Sequence, residues 1–291
     1  MDAYSLINTR QSSTDSPSKP FDKEAWKQRK RQEREDAYAL GDDTALRVNA
    51  DPKALDGYLD VMARFPERSA LNSLLIFAQH PDATRIGDKA YWRNEHALIR
   101  KGERGFTLIE QGDGYERADG SIGSFFNAVR VYDEGQTTAR RILPRRYQEA
   151  AVVAALVKTT IPRIVPADDL QGDLAVYDHE NGTVYLQKGL SQSQVFWALA
   201  CELCQSEFAR SNPDYDREAY LGRAELGATV LAKRYGINSP YGDAPAPASK
   251  DANAKEVREA LSDVQAAVKA VSRQAARELD KPKEREGALD R

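Results

Sequence analysis

Near the C-terminus, apolar residues repeat in a pattern that few structures accommodate. Apolar side chains recur there at alternating spacings of four and three residues, at Val257, Leu261, Val264, Val268, Val271 and Ala275. This spacing predicts an amphipathic helix with one continuous apolar stripe. Burying apolar area is favourable, so the stripe needs a partner. Two partners stay open: a second copy of the chain, which would give a homodimer, or the body of the same chain.

Composition restricts what the rest of the chain can be. At 291 residues it is long enough for about two domains. A net charge of −3 excludes general basicity, so any binding of nucleic acid would need local patches. No apolar run approaches the roughly 18 residues of a membrane span. The two cysteines, Cys201 and Cys204, lie three apart in a predicted helix and form a poor disulfide pair. We expect a cytoplasmic protein with no membrane partner.

The pattern of helices, strands and linkers predicts an α+β fold with two domains. Four segments are expected: a disordered and charged helical arm at residues 1–48, a first domain at 49–145, a second at 146–241, and a linker with the C-terminal helix at 242–291. The charged stretch from Phe21 to about Leu40 is predicted to be a solvated helix, with a nucleic-acid-binding arm as the alternative.

Each domain contains its own predicted elements. In the first, helices around Leu55–Phe65 and Ala70–Gln79 precede strands at Phe106–Glu110 and Phe125–Tyr132, with a glycine-rich loop at 112–123. In the second, a helix precedes a hairpin turned by Asn181-Gly182, and two more helices follow. Their expected ranges are Tyr147–Lys158, Gln194–Phe208 capped by Ser191 or Ser193, and Arg217–Tyr235 stopped by Gly236.

The predicted helix Gln194–Phe208 carries a degenerate motif. In H-E-x-x-H, two imidazoles four residues apart bind zinc, and the glutamate between them activates a water. Here Glu202 stands at the general-base position, whereas Cys201 and Gln205 stand at the two ligand positions. A cysteine can bind zinc, but a glutamine amide is a poor ligand for it. Taken alone, C-E-x-x-Q is not a motif, because a glutamate in an amphipathic helix is usually solvated or capping.

Several further segments, in order, resemble one family. The matching segments are Leu71–Gln79, Pro81–Thr84, Trp92, Arg100–Gly105, Val131–Asp133 with Gln136-Thr137, Ala224–Ala228, and Tyr235–Ile237. Together they are similar to the ArdC-type antirestriction proteins over roughly residues 50–240. The resemblance implies an N-terminal domain that binds single-stranded DNA and a second, zincin-like metallopeptidase domain. It also implies a protein of a plasmid, phage or integrative element that protects incoming DNA, with a host defence or DNA-transfer protein as a further partner.

The chain departs from this family at the metal site. Cys201 and Gln205 replace the two histidines, and Tyr220 and Leu221 stand where relatives carry a glutamate pair, while Glu225 is kept. We therefore predict a pseudo-metallopeptidase without a cofactor. The alternatives are a peptidase that holds zinc through Cys201 and Glu225, and a protein-interaction module that binds no DNA.

The resemblance favours a nucleic-acid site in the first domain. Aromatic faces stack bases and cations track phosphates, and the candidates are Asn72, Gln79, Lys89, Tyr91, Trp92, Arg93, Arg100, Lys101 and Arg104. Structural alternatives remain: Trp92 could be a core residue, the arginines and lysines could belong to an ordinary turn, and the Asn72 and Gln79 amides could cap buried backbone groups. The basic cluster of Arg140, Arg141, Arg145 and Arg146 is predicted to be a solvated edge between the domains.

Overall fold

The computed structural model describes residues 22–116, 119–159, 161–238 and 242–281. The predicted disordered segment at residues 1–20 lies outside these ranges. Helices surround two three-stranded sheets, which confirms the α+β class. Within the described ranges, no helix combines the length and the low polarity that crossing a membrane requires.

Three helices open the structure: α1 at Lys23–Ala50, α2 at Pro52–Arg64 and α3 at Ala70–Gln79. The first part of α1 is exposed, as predicted for a charged solvated helix. From Ala37 onwards, however, α1 packs into the protein through a stripe that ends at Val48. Gly41 lies in this stripe, where an added Cβ would come within 2.4 Å of Leu71 Cδ1. The close approach of α1 to α3 therefore depends on glycine at this position.

The first sheet is antiparallel and has the order β1-β3-β2. Its strands are β1 at Ile86–Gly87, β2 at Phe106–Glu116 and β3 at Ile122–Asp133; α4 at Lys89–Asn94 follows β1, and a 3₁₀ turn at Glu134–Gln136 follows β3. The predicted glycine-rich loop at 112–123 is wrong, because β2 and β3 remain paired from Gly114 to Glu116 after a bulge. An added Cβ on Gly112 would come within 2.3 Å of Nδ2 of the exposed Asn127 side chain, which would have to move.

The second half confirms most of its predicted elements. It contains α5 at Glu149–Thr159, β4 at Arg163–Ala167, β5 at Ala175–Asp178, β6 at Thr183–Gln187, α6 at Gln192–Ser211 and α7 at Arg217–Tyr235. Gly182 turns the hairpin with a φ of +59°, Ser191 caps α6, and Gly236 ends α7 with a φ of +68°. Strand β4, parallel to β6 at the sheet edge, was not predicted. It contains Pro166, and proline in a sheet is confined mainly to edges.

The C-terminal helix, α8 at Ala254–Leu279, packs on the body of its own chain. Its stripe is fully buried, from Val257 at 0% exposure to Ala275 at 0%. It contacts α5, α6 and α7, and also α1 and α3. Packing on the body of the same chain, the second of the two alternatives, is therefore the one observed for this stripe. One continuous core cluster contains Ala45 and Leu59 as well as Ala275, so the first helices share a core with the second half.

Candidate functional site

Two regions of the structure hold the predicted site residues. We call the first the basic turn surface; it consists of Lys89, Tyr91 and Arg93 on α4 and of Arg100, Lys101 and Arg104 in the following turn. All five cationic side chains are exposed, and none has a carboxylate partner in the part of the chain that the structure describes. The neighbouring carboxylates are already bonded: Asp88 caps α4 at Tyr91 N, and Glu95 pairs with Arg85.

Buried carboxylates at the end of β3 hold the basic turn surface in place. Asp133, 5% exposed, accepts hydrogen bonds from Thr84 N and Gly135 N, each at 2.7 Å. Arg100 donates from its guanidinium to Gly135 O at 3.0 Å. Gln136 completes a capping box with Asp133 and donates to Arg104 O at 2.9 Å. Asp133 belongs to a segment that resembles the family but was not predicted to support the site, although an aspartate three residues before a glutamine is a capping signal.

Trp92 does not belong to this surface. It is 0% exposed, and its indole Nε1 donates to Tyr132 O at 3.0 Å. The Arg85 guanidinium lies 4.9 Å from the centre of the ring. The prediction that Trp92 stacks a base is therefore wrong, and the alternative, a core tryptophan, is correct. Tyr91, 37% exposed and edge-on to Trp92, remains the aromatic ring at this surface.

Asn72 and Gln79 cap the outer edge of β2. The Asn72 amide donates to Ile109 O at 2.8 Å and accepts from Ile109 N at 2.9 Å. The Gln79 amide bonds both backbone groups of Thr107 in the same way, each at 2.9 Å. Asn72 and Gln79 lie seven residues apart on one face of α3. Their amides therefore reach two strand residues whose backbone groups point to the same side. The backbone-capping alternative is the one observed, so these residues are not available as nucleotide ligands.

The second region surrounds Glu202 on α6, the residue predicted to stand at a general-base position. Glu202 is 3% exposed. One carboxylate oxygen lies 2.7 Å from Arg217 Nη2, and the other accepts the Tyr177 N–H at 2.7 Å. Burial raises the pKa of Glu202, while the charge of Arg217 opposes this shift. The carboxylate therefore faces a guanidinium and a strand amide from β5.

The side chains at the two predicted ligand positions, Gln205 and Cys201, are also buried. Gln205 is fully buried; its Nε2 donates to Arg217 O at 3.2 Å, and its Oε1 accepts from the Tyr215 hydroxyl at 3.0 Å. Cys201 is 7% exposed, and burial raises its pKa well above the ordinary value.

Glu225 lies on α7 beside a cavity of about 460 Å³ that Asp173 and Asp243 also line. In the described ranges, no group of three histidine, cysteine, aspartate or glutamate side chains could hold a metal. Tyr220 packs on Phe208. The residues present do not fit a zincin metal ion. Arg217, which supplies the positive charge here, was missed, because no spacing rule links it to the motif.

Known proteins provide a comparison at the level of structure. No protein-family model matches the chain, and neither does any curated protein. The crystal structure of the antirestriction ArdC protein from plasmid R388, in its metal-free form, aligns with a TM-score of 0.52 and 17% identity over 82% of this chain and 98% of that one. Its Mn(II)-bound form aligns with a TM-score of 0.47 and 17% identity over 72% of this chain and 85% of that one. The metal-free structure spans both halves described above and confirms the resemblance in fold: the chain has an ArdC-type fold.

Proposed function

We propose that this protein binds single-stranded DNA through the basic turn surface and acts as an antirestriction-type protein of a mobile element. The observation that carries the proposal is the set of five exposed cations around the partly exposed Tyr91, none of which has a carboxylate partner among the described residues. Cations not neutralised within the protein can replace the counterions of a phosphate backbone. The protein similar in fold is named an antirestriction protein of plasmid R388, which supports the same biological role.

The chemistry of the surface favours single strands over duplex. Arg93, Arg100 and Arg104 present planar guanidinium groups that match phosphate oxygens. Tyr91 offers a ring to an unstacked base, and each stacked base contributes on the order of 1–3 kcal/mol. A duplex hides its base faces, so only the phosphate contacts would remain. We therefore expect binding that is tighter for single strands and weakens as salt rises.

The second half would serve as a scaffold or a partner-binding domain, for example towards a host defence or DNA-transfer protein. Its zincin-like origin is inferred from the position of Glu202 on α6 and from Glu225 on α7. Hydrolysis needs a metal-bound water beside the general base. Arg217 pairs with that base, and Gln205 is bonded at both ends of its amide. We therefore propose no peptidase activity and no bound metal.

Fluorescence anisotropy with a labelled oligothymidine tests the DNA-binding surface. Lys101→Gln combined with Arg104→Gln should weaken binding and lower the salt dependence by about one unit of slope for each lost phosphate contact. The matched control combines Lys53→Gln with Lys255→Gln, two exposed lysines on α2 and α8. Equal affinities for the two double variants would contradict the proposed surface.

A further inference from the structure

A second positively charged region lies in a cleft between the two halves of the chain. The cleft has a volume of about 770 Å³, within the roughly 300–1,000 Å³ typical of ligand sites. Two carboxylates, Asp60 and Asp82, line it. The cations that line it are more numerous: Arg64, Arg85, Arg141, Arg145, Lys233 and Arg234. This excess of cations attracts an anionic ligand.

Three of these cations have no carboxylate partner among the described residues: Arg64, Arg141 and Arg234. The guanidinium of Arg64 is held by the carbonyl oxygen of Pro81. Arg234 donates to Ala63 O at 3.1 Å, and its buried Nε has no hydrogen-bond partner. Two guanidinium groups are thus positioned by backbone carbonyls and keep their full charge. Because a guanidinium has five donors, each retains free donors for a ligand.

The other three cations are already neutralised. Lys233 pairs with Asp60 at 2.8 Å, and Arg145 with Asp280 at 2.6 Å. Arg85 pairs with Glu134 at 2.8 Å and also with Glu95. Arg64, Arg141 and Arg234 therefore account for the available positive charge, against the single carboxylate of Asp82, which forms no ion pair among the described residues.

The segment that joins the two halves contributes apolar side chains to the same cleft. Leu143 is 77% exposed and Ile142 is 61% exposed. Tyr147 and Phe77, which are partly buried, also line the space. An inorganic anion would leave these apolar surfaces in water. A nucleotide unit combines a charged phosphate with an apolar base face, so it matches both parts of the cleft.

The cleft adjoins the basic turn surface through Arg85. That residue lines the cleft, and its guanidinium lies over Trp92, the neighbour of Tyr91 and Arg93 on α4. Arg85 therefore links the lining of the cleft to the helix that carries part of the basic turn surface. The sequence predicted that Arg141 belongs to a solvated edge between the domains. In the structure it lines the same cavity as Arg64 and Arg234.

We infer that the cleft is a second contact site for the same single strand, in which Arg64, Arg141 and Arg234 bind phosphates and the linker side chains contact a base. This inference rests on the proposed single-stranded DNA binding. It extends the proposed DNA-binding path from the basic turn surface to the cleft at the boundary with the second half. An oligonucleotide long enough to reach both regions should accordingly bind more tightly than a short one.

A thiol introduced at Leu143 reports directly on the cleft. Both native cysteines are buried, so Leu143→Cys provides one exposed thiol for alkylation by a maleimide. Saturating oligothymidine of about 16 nucleotides, the upper site size of a single-strand binding fold, should slow alkylation several-fold. A polyglutamate peptide at equal charge should not. Protection by polyglutamate to the same degree would overturn the assignment to nucleic acid.

Neighbouring arginines provide a matched pair for the affinity measurement. Arg141 lines the cleft and Arg140 does not, although both are exposed. Arg141→Gln should weaken binding about threefold to tenfold and reduce the salt slope by about one, with Arg140→Gln close to the native protein. Suppose that the native protein binds oligothymidine, but that the oligonucleotide does not slow alkylation of Leu143→Cys and that Arg141→Gln and Arg140→Gln bind equally well. The cleft is then not a contact site, whereas the proposed binding at the basic turn surface is unaffected. If the native protein binds no oligonucleotide, both proposals fail.

Discussion

The Arg217 guanidinium lies 2.7 Å from the Glu202 carboxylate, in a site where Glu202 is only 3% exposed. In an H-E-x-x-H helix, a glutamate at this position acts on a metal-bound water. In this protein it joins the start of α7 to α6, and its second oxygen joins β5 through the Tyr177 amide. Glu202 therefore has a structural role that does not depend on the missing histidines.

Removing the cation of this pair should be strongly destabilising. Arg217→Met leaves a buried carboxylate without its partner, which costs about 3–5 kcal/mol of unfolding free energy. Urea denaturation measures the loss. Arg223→Met is the control, because the Arg223–Asp263 pair is partly exposed and should contribute at most about 1 kcal/mol. Similar losses of unfolding free energy in the two variants would show that the buried Glu202–Arg217 pair contributes no more than a partly exposed pair.

Stability should depend on pH through Glu202. Burial raises its pKa in the folded state above the ordinary value of 4.5. The folded protein therefore holds this proton more tightly than the unfolded chain does. The resulting stabilisation is complete below the ordinary pKa and is lost as pH rises through the folded pKa.

Glu202→Gln cannot ionise at this position, so its stability relative to the native protein should rise from about pH 4 to about pH 7. Denaturant titrations at a series of pH values measure this difference, with the exposed Glu180→Gln as a control. A relative stability that falls over this range would mean that the charge of Arg217 outweighs burial.

The amide caps on β2 should contribute to stability and not to DNA affinity. Asn72→Ala leaves the N–H and C=O of Ile109 without partners, at a cost of about 1–3 kcal/mol for a buried group. Thermal unfolding measures this cost, and anisotropy well below the transition measures DNA binding. Gln111→Ala, which removes only an exposed hydrogen bond to Ser124, is the control. A variant with native stability but lost DNA binding would restore Asn72 as a ligand.

Purified protein should contain no stoichiometric zinc or manganese. No group of three possible metal ligands occurs in the described ranges, and Gln205 is bonded at both ends of its amide. Elemental analysis measures the metal content, and EDTA should leave the Tm unchanged, since loss of a bound ion would lower it. A bound metal that disappears in Cys201→Ser would instead support the peptidase alternative.

The parts of the fold that the sequence could predict depend on local signals. The Ser191 cap of α6, the Gly236 stop of α7 and the Asn181-Gly182 hairpin are each encoded within a few residues. Strand β4 and the extension of β2 and β3 beyond the bulge depend on pairing with distant strands. Such pairing has no short-range signature, and a glycine-rich strand resembles a loop.

The candidate sites likewise combine residues that local sequence signals identify with residues whose roles depend on the fold. The exposed cations of the turn at Arg100–Arg104 could be selected from charge and neighbouring glycines. Burial decided the roles of Trp92 and Asn72, and the sequence left both alternatives open. The Glu202–Arg217 pair and the cleft of Arg64, Arg141 and Arg234 join residues from different elements. No periodicity within one element could bring them together.

The most direct test of the account compares single-stranded and duplex oligonucleotides with the native protein over about 50 to 200 mM salt. We predict tighter binding of the single strand at every salt concentration, with affinities that fall as salt rises. The retained preference for single strands would reflect base contacts at Tyr91 beside the phosphate contacts of its cationic neighbours. Equal affinity for the two forms, or no binding at the lowest salt, would contradict single-stranded DNA as the ligand of the basic turn surface.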